Sequence, residues 1–361
     1  MTPDPQRIER YSPSLINRLA SCGYQAAFNR DDRFNDLARP NLFSSMGSIA
    51  HKVAEKVHSG ELNDVEESGL ENAIEELWDR AVAEAVTGLT NAWAPAIPPS
   101  PEDWPGYHMN RSTAKIRLRH DVEKFRQSRG PGGSGNAPRI ERWIEDDELG
   151  LYGKPDRVEF HEGSPVVVDL KTGINQKEIR PDQRRQLLLY AHLVTKEHEA
   201  TPTAVAVETG DGKRYSEQIT ESDIEAAVQG AIGMVEDFNT LLGDSFEPLA
   251  NPSADTCRYC NYRSVCDPYW ESIRFDWRRS APRPRSDVRG DISGQEETAV
   301  GTSLTIEVRS PSDWPSPTCR VTPVIEEIRR NANQVSIVDA VATAAPESLK
   351  ISWDTIVRFA D

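Results

Sequence analysis

Nowhere in the 361 residues is there a run of about 18 apolar side chains, which excludes a membrane-spanning helix. The opening stretch, Met1 to Arg10, is polar and has no apolar signal core, so a cytoplasmic, reducing compartment is the expectation. Cysteine is scarce. Five in a chain this long do not make a disulfide scaffold, and in a reducing compartment clustered thiols point to metal. No Walker A phosphate loop (G-x4-G-K-[ST]) occurs, so an ATP-driven motor would have to be a separate chain. There is no internal repeat. Positive charge is in deficit, 42 Lys and Arg against 58 Asp and Glu, giving a net charge of −16. That balance argues against nonspecific nucleic-acid binding by the molecule as a whole.

The basic residues that are present are bunched. Arg111, Lys115, Arg117, Arg119, Lys124, Arg126 and Arg129 crowd one helical stretch, the first choice for meeting phosphate; a solvated helix face is the plain alternative. A second group is Arg274, Arg278, Arg279, Arg283, Arg285 and Arg289. Acid is concentrated elsewhere, for example between Glu61 and Glu76.

Periodicity divides the chain. Ser12-Pro13 opens a helix ending near Cys22, since Ser caps and Pro suits the first turn. Further helices are expected over 45–59 and 70–86, and the Gly- and Pro-rich stretch 129–138 reads as a loop. Strands are expected at 140–144, 150–160 and 165–170, then a helix over 182–194, strands at 203–208 and 213–218, and a helix over 222–242. This order predicts an α/β core with an added N-terminal helical region. Residues 278–302, rich in Pro, Arg, Ser and Gly, read as a linker to a small β-rich appendage over 303–361.

Chemistry concentrates in one nested set. Asp156 follows a predicted strand turn, and Asp169 ends a strand of valines with Lys171 on the same strand face. Two carboxylates from neighbouring strands suit a hard cation such as Mg²⁺ or Mn²⁺, and His51 would add a nitrogen ligand. A lysine beside such an ion offsets charge on a transferring phosphate. Each piece alone has an ordinary reading. A D-x-K triplet is common, Asp156-Arg157 suits a turn cap, and Gln186 and Tyr190, one helical turn apart, suit packing.

Taken in order, Gly47-x3-His51, Gly153-Lys154-Pro155-Asp156, Asp169-Leu170-Lys171-Thr172-Gly173 and Gln186-x3-Tyr190 resemble the RecB-like branch of the PD-(D/E)XK nucleases. The resemblance spans roughly residues 11–270. It implies a restriction-endonuclease-like core, a mixed sheet flanked by helices, over 1–277. It also implies metal-dependent cleavage of DNA. Asp156, Asp169 and His51 would be metal ligands and Lys171 the catalytic lysine. Gln186 and Tyr190 would support the site or contact the strand, with Glu141 as a further support.

Cys257-x2-Cys260-x5-Cys266 places three thiolates in one short segment, and Cys22 is the available fourth. Thiolates in fours bind Zn²⁺ or an iron–sulfur cluster. The one-plus-three split resembles the iron–sulfur subset of RecB-like nucleases, which implies a structural [4Fe-4S] cluster closing a loop around the nuclease core. Cys319 lies outside this set and reads as a free thiol. Tyr259 and Tyr262, in the cysteine segment, suit either stacking on bases of a single strand or covering the cluster.

Three functions follow as expectations. One is a divalent-metal-dependent exonuclease on single-stranded DNA ends. Another is a DNA-end-binding subunit of a repair, CRISPR-adaptation or phage-defence complex, with a helicase or other subunit as partner. The last is a zinc-stabilised binding protein without chemistry.

Overall fold

Ser12 and Pro13 begin the first helix as expected: Ser12 Oγ accepts from Leu15 N at 3.3 Å and Pro13 fills the first turn. This helix, α1 (Pro13–Ser21), ends at Cys22, whose extended backbone turns the chain into α2 (Gly23–Asn29). The computed structural model describes residues 2–94, 96–128, 139–140, 143–161, 163–171, 173, 176–279, 284–299, 301–324, 332–345 and 347–360. The expected loop at 129–138 lies outside them.

Three long helices follow. Helix α3 (Leu42–His58) starts three residues before its predicted first residue, 45. Asn41 caps it, accepting from Ser44 N at 2.8 Å while Ser44 Oγ accepts from Asn41 N at 3.1 Å. Helices α4 (Glu67–Trp93) and α5 (Tyr107–Ser128) pack beside it. No described helix is long and apolar enough to cross a membrane.

Strands β1 (Arg139–Ile140), β2 (Ile144–Asp146), β3 (Leu151–Gly153), β4 (Arg157–His161) and β5 (Ser164–Leu170) come next. The single strand expected over 150–160 is two, broken at Lys154-Pro155-Asp156. Pro155 has no N–H to give a ladder, so β3 pairs with β2 while β4 joins the central sheet. Helix α6 (Pro181–His198), β6 (Ala204–Glu208), β7 (Arg214–Gln218) and α7 (Glu221–Thr240) complete the unit. The central sheet runs β1-β4-β5-β6-β7, with only β5 and β6 parallel. Residues of β5 alternate between two helical layers. Val166, Val168 and Leu170 pack with α3, α4 and α5, whereas Val167 packs with α1, α6 and α7.

After the short α8 (Asp267–Ser272), the segment expected as a linker proves to be folded. Arg285–Thr298 is a 14-residue strand, β8. Its Arg, Ser and Gly content hid a buried Val288 and a bulge at Gly290, where a Cβ would lie 2.0 Å from Glu307 O. It pairs with β9 (Gly301–Ser310) and β11 (Gln334–Ala342); β10 (Thr318–Val324), β12 (Ser348–Lys350) and β13 (Ile356–Ala360) finish the sheet. Strand β12 pairs with both β10 and β11, so five strands close into a ring. This sheet is bolted to the cysteine segment. Arg263 meets Asp287 at 3.0 Å and also meets Asp339, and Tyr269 donates to Asp287 at 2.6 Å. The ion pairs are buried, and removing one partner from such a pair typically costs about 3–5 kcal/mol.

Candidate active site

Strand register brings the two aspartates together. Arg157 of β4 stands opposite Val168 of β5, so one step further along the ladder sets Asp156 opposite Asp169. Leu170 N donates to Asp156 Oδ2 at 2.7 Å and fixes that carboxylate. On β5, Asp169 points away from the α3–α5 layer and is 3 % exposed. Lys171 Nζ lies 3.0 Å from Asp169 Oδ1 and 2.9 Å from Oδ2.

Helices close the site from both sides. From α6, Gln186 Nε2 donates to Asp169 Oδ1 at 3.4 Å, and Gln186 also hydrogen-bonds Tyr190. Burial, then the charges of Asp156 and Asp169, hold the Tyr190 phenol well above its ordinary range, so it stays neutral. From α3, His51 Nδ1 comes within 3.6 Å of Asp156 Oδ1. Lys154 pairs with Glu55 at 2.6 Å, one turn beyond His51, and ties the Gly-Lys-Pro-Asp turn to that helix. All six described residues that the sequence singled out for the nuclease site therefore gather at one end of the sheet. Glu141 lies outside the described residues.

Gly153 has a specific task. A Cβ there would lie 2.7 Å from Tyr190 Cε1 and 3.3 Å from Pro13 Cδ. Gly153→Ala is expected to destabilise the protein by about 1–3 kcal/mol through overpacking. The effect should largely vanish in a Tyr190→Leu background, because the clash is pairwise. Equal thermal shifts in both backgrounds would contradict this role.

The donor set suits a divalent cation. Asp169 Oδ2 is buried and makes no hydrogen bond, despite its contact with Lys171. Burial pushes the Asp169 carboxyl up to about 6; Lys171 opposes the shift and Asp156 adds to it. Two facing carboxylates and an imidazole are the ligands a hard or borderline ion takes. Among the described residues, no three or more His, Cys, Asp or Glu side chains already form a finished ligand set. A bound ion would have to draw His51 and the two aspartates closer.

The raised Asp169 carboxyl predicts a pH signature. An unfolded Asp titrates near 3.9. Between about pH 4 and 6 the metal-free fold must therefore ionise a group that its interior prefers neutral, and stability is lost as pH rises through that window. The melting temperature of the wild type minus that of Asp169→Asn should fall across it, and Mg²⁺ should reverse the fall. A flat difference would reject it.

The structure also shows a brace that the sequence did not disclose. Glu208, beside Leu170 in the ladder, meets Arg157 and also Arg117 at 3.1 Å and Arg214 at 2.9 Å. Lys171 N donates to Glu208 O at 2.8 Å. Arg157, adjacent to Asp156, is a buried strut and not a turn cap. Its only sequence signal was a charge within an apolar strand.

The basic helix is a correction. Arg111 pairs with Glu75 and Asp79 at 2.5 and 3.2 Å, Lys115 with Glu75 at 3.0 Å, and Arg119 with Glu67 at 2.7 Å. Arg126 also meets Glu67, at 3.4 Å. The acidic stretch that looked separate in sequence is α4, packed alongside, so these cations already have carboxylate partners. Three arginines of the second basic group are similarly engaged: Arg278 with Asp339, Arg285 with Asp354 and Arg289 with Asp267; Arg283 lies outside the described residues.

Cys22, Cys257, Cys260 and Cys266 line one small cavity of about 20 Å³, walled by Tyr24 and Phe28 among others. Burial, with charge repulsion among the four, raises the thiols of Cys257, Cys260 and Cys266, that of Cys260 to about 12. Thiols so raised ionise only beside a cation, and among the described residues no three of these side chains already form a finished metal-ligand group. Cys319 is free and fully buried in the C-terminal sheet. Tyr262 does not face solvent. It stacks on Phe28, centroids 5.4 Å apart, and its hydroxyl accepts from Asn29.

Comparison with known proteins identifies the family. The sequence model of the PD-(D/E)XK nuclease superfamily matches residues 10–267. A CRISPR-associated exonuclease Cas4/endonuclease Cas1 fusion from Myxococcus xanthus (strain DK1622) is 29% identical over 158 residues, 42% of this chain. The chain matches only 27% of that relative's length. A crystal structure from Eubacterium rectale, assigned as an exonuclease, aligns with 74% of this chain and 89% of its own at a TM-score of 0.37 and 12% identity. With the family model covering well over half of its length, the chain belongs to the PD-(D/E)XK nuclease superfamily.

Proposed function

We propose that this chain is a divalent-metal-dependent exonuclease on single-stranded DNA ends, with a structural [4Fe-4S] cluster. The observation that carries the reading is the meeting of Asp156, Asp169 and Lys171 across the β4–β5 ladder. His51, Asp156 and Asp169 would hold the cation. Once bound, a divalent ion polarises the phosphodiester and lowers the pKa of its water. The chain's own groups do the rest. Lys171 Nζ, anchored on both Asp169 oxygens, offsets charge that grows on the phosphate during displacement. Gln186 holds Asp169 from the far side, and neutral Tyr190 packs behind both. Cys22, Cys257, Cys260 and Cys266 would hold the cluster as a staple without redox turnover; their shared cavity supports this.

End dependence comes from the resemblance and from the relatives' names, and one assay tests it. End-labelled linear and covalently circular single strands are incubated with Mg²⁺ or Mn²⁺. Shortening of the linear strand with circles intact is the expected result. Cleaved circles would replace the exonuclease by an endonuclease, and no cleavage of either with both ions would overturn the nuclease reading.

A further inference from the structure

Phe43 and Tyr259 are large aromatic side chains left 60% and 57% exposed. They come from opposite ends of the nuclease unit, Phe43 from the first turn of α3 and Tyr259 from between Cys257 and Cys260. Even so, their rings meet, with centroids 6.5 Å apart and planes at 61°. The Arg258 guanidinium lies 5.3 Å from the centre of the Tyr259 ring. Core packing does not account for this pair, since both rings keep most of their surface in water. Tyr262, three residues on, shows what a core tyrosine here looks like: it is buried and hydrogen-bonded.

Helix α3 leads from this pair to the carboxylates. Phe43, Gly47 and His51 recur every four residues and so lie along one side, His51 about 12 Å from Phe43 along the axis. Between them Gly47 raises no obstacle, for a Cβ there meets nothing within 4 Å. The same side continues as Ala50 and Ala54. With Thr113 and Ala114 of α5 they line a cavity of about 40 Å³ that includes His51 and Lys171. Helix α3 therefore links two exposed rings with a neighbouring cation to the site where Asp156 and Asp169 face each other.

We propose that Phe43 and Tyr259, aided by Arg258, form a stacking clamp for nucleobases of a single DNA strand whose phosphodiester lies at Asp156, Asp169 and Lys171. Bases of a single strand offer free faces to aromatic rings, and a nearby cation suits the backbone. Paired bases inside a duplex offer no such face. At a stacked rise of about 3.4 Å per nucleotide, 12 Å is a span of three or four nucleotides, and fewer when the strand is stretched. The clamp also gives the cysteine segment a task in substrate binding, because Tyr259 is set between two of its cysteines. This inference rests on the single-strand nuclease reading above.

The test measures binding separately from cleavage. The full chain is titrated with a fluorescein-labelled 20-nucleotide single strand, and with the matching duplex, in Ca²⁺. Phe43→Ala and Tyr259→Ala should each weaken single-strand binding about 10-fold and leave duplex binding unchanged, while Phe43→Trp and Tyr259→Phe keep wild-type affinity. Strands carrying abasic nucleotides within four positions of the end should bind wild type as weakly as intact strands bind the double alanine variant. Thermal melts report that the variants remain folded. Unchanged single-strand affinity, or an equal loss on duplex, overturns the clamp even where wild type cleaves normally. Wild type that neither binds nor cleaves single strands overturns the nuclease reading and the clamp together.

Discussion

Cleavage by Lys171→Ala is expected to fall about 10²- to 10³-fold, the usual loss when one preorganised electrostatic group is taken from a developing charge. The geometry makes the lysine hard to replace. Its Nζ contacts both oxygens of a 3 % exposed carboxylate, so removal takes from Asp169 the cation that touches it. The Asp169 carboxyl, already pushed up to about 6, then rises further because Lys171 was holding it down. A proton should therefore compete with the metal at that carboxylate up to a higher pH in the same variant. Lys171→Arg should not rescue it, since a planar guanidinium is not a compact point charge. Asp169→Ala should do at least as much damage by deleting the ligand itself. Single-turnover rates across a Mg²⁺ titration separate the two effects, and wild-type rates in both alanine variants would remove these residues from the chemistry.

If the four cysteines hold the proposed cluster, Cys266→Ala is expected to lose it and most of the fold's margin. Bridging Cys22 to the segment at 257–266 closes a loop around almost the whole nuclease unit. In the chain-entropy description of cross-links, loss of such a closure costs on the order of 4–5 kcal/mol, a large part of a domain's stability. The structure adds a second consequence. Arg263 Nε donates to Cys260 O at 2.9 Å while its other nitrogens hold Asp287 and Asp339, so disorder in the cysteine segment should loosen the C-terminal sheet as well. Iron and acid-labile sulfide content, absorbance near 400 nm and a thermal melt are the measurements. An iron-free variant that melts like wild type and cleaves at full rate would show that the cysteines are not a staple.

The candidate site residues were legible because strand register and helix period are local. Val166-Val167-Val168 had to be a buried strand, and a period of two then put Asp169 and Lys171 on one side. The helix of α6 put Gln186 and Tyr190 one turn apart. The basic helix misled because charge was read one stretch at a time. Arg111 and Lys115 find Glu75 only once α4 and α5 lie side by side. The supposed linker misled because composition outweighed pattern: Arg, Ser and Gly around Val288 looked unstructured, yet β9 and β11 supply both neighbours of that strand.

From its sequence alone this chain could be read for a nuclease-family resemblance, for candidate metal-ion ligands and for four grouped thiols. The order and spacing of those residues follow from side-chain identity and short-range period, which no later packing alters, whereas their roles are what the resemblance implies. Tertiary structure alone decided which charges are already neutralised, which of two neighbouring tyrosines is buried, and that Phe43 meets Tyr259. Each is a pairing between distant segments, and the energy of a charge or an aromatic face depends on what stands opposite it.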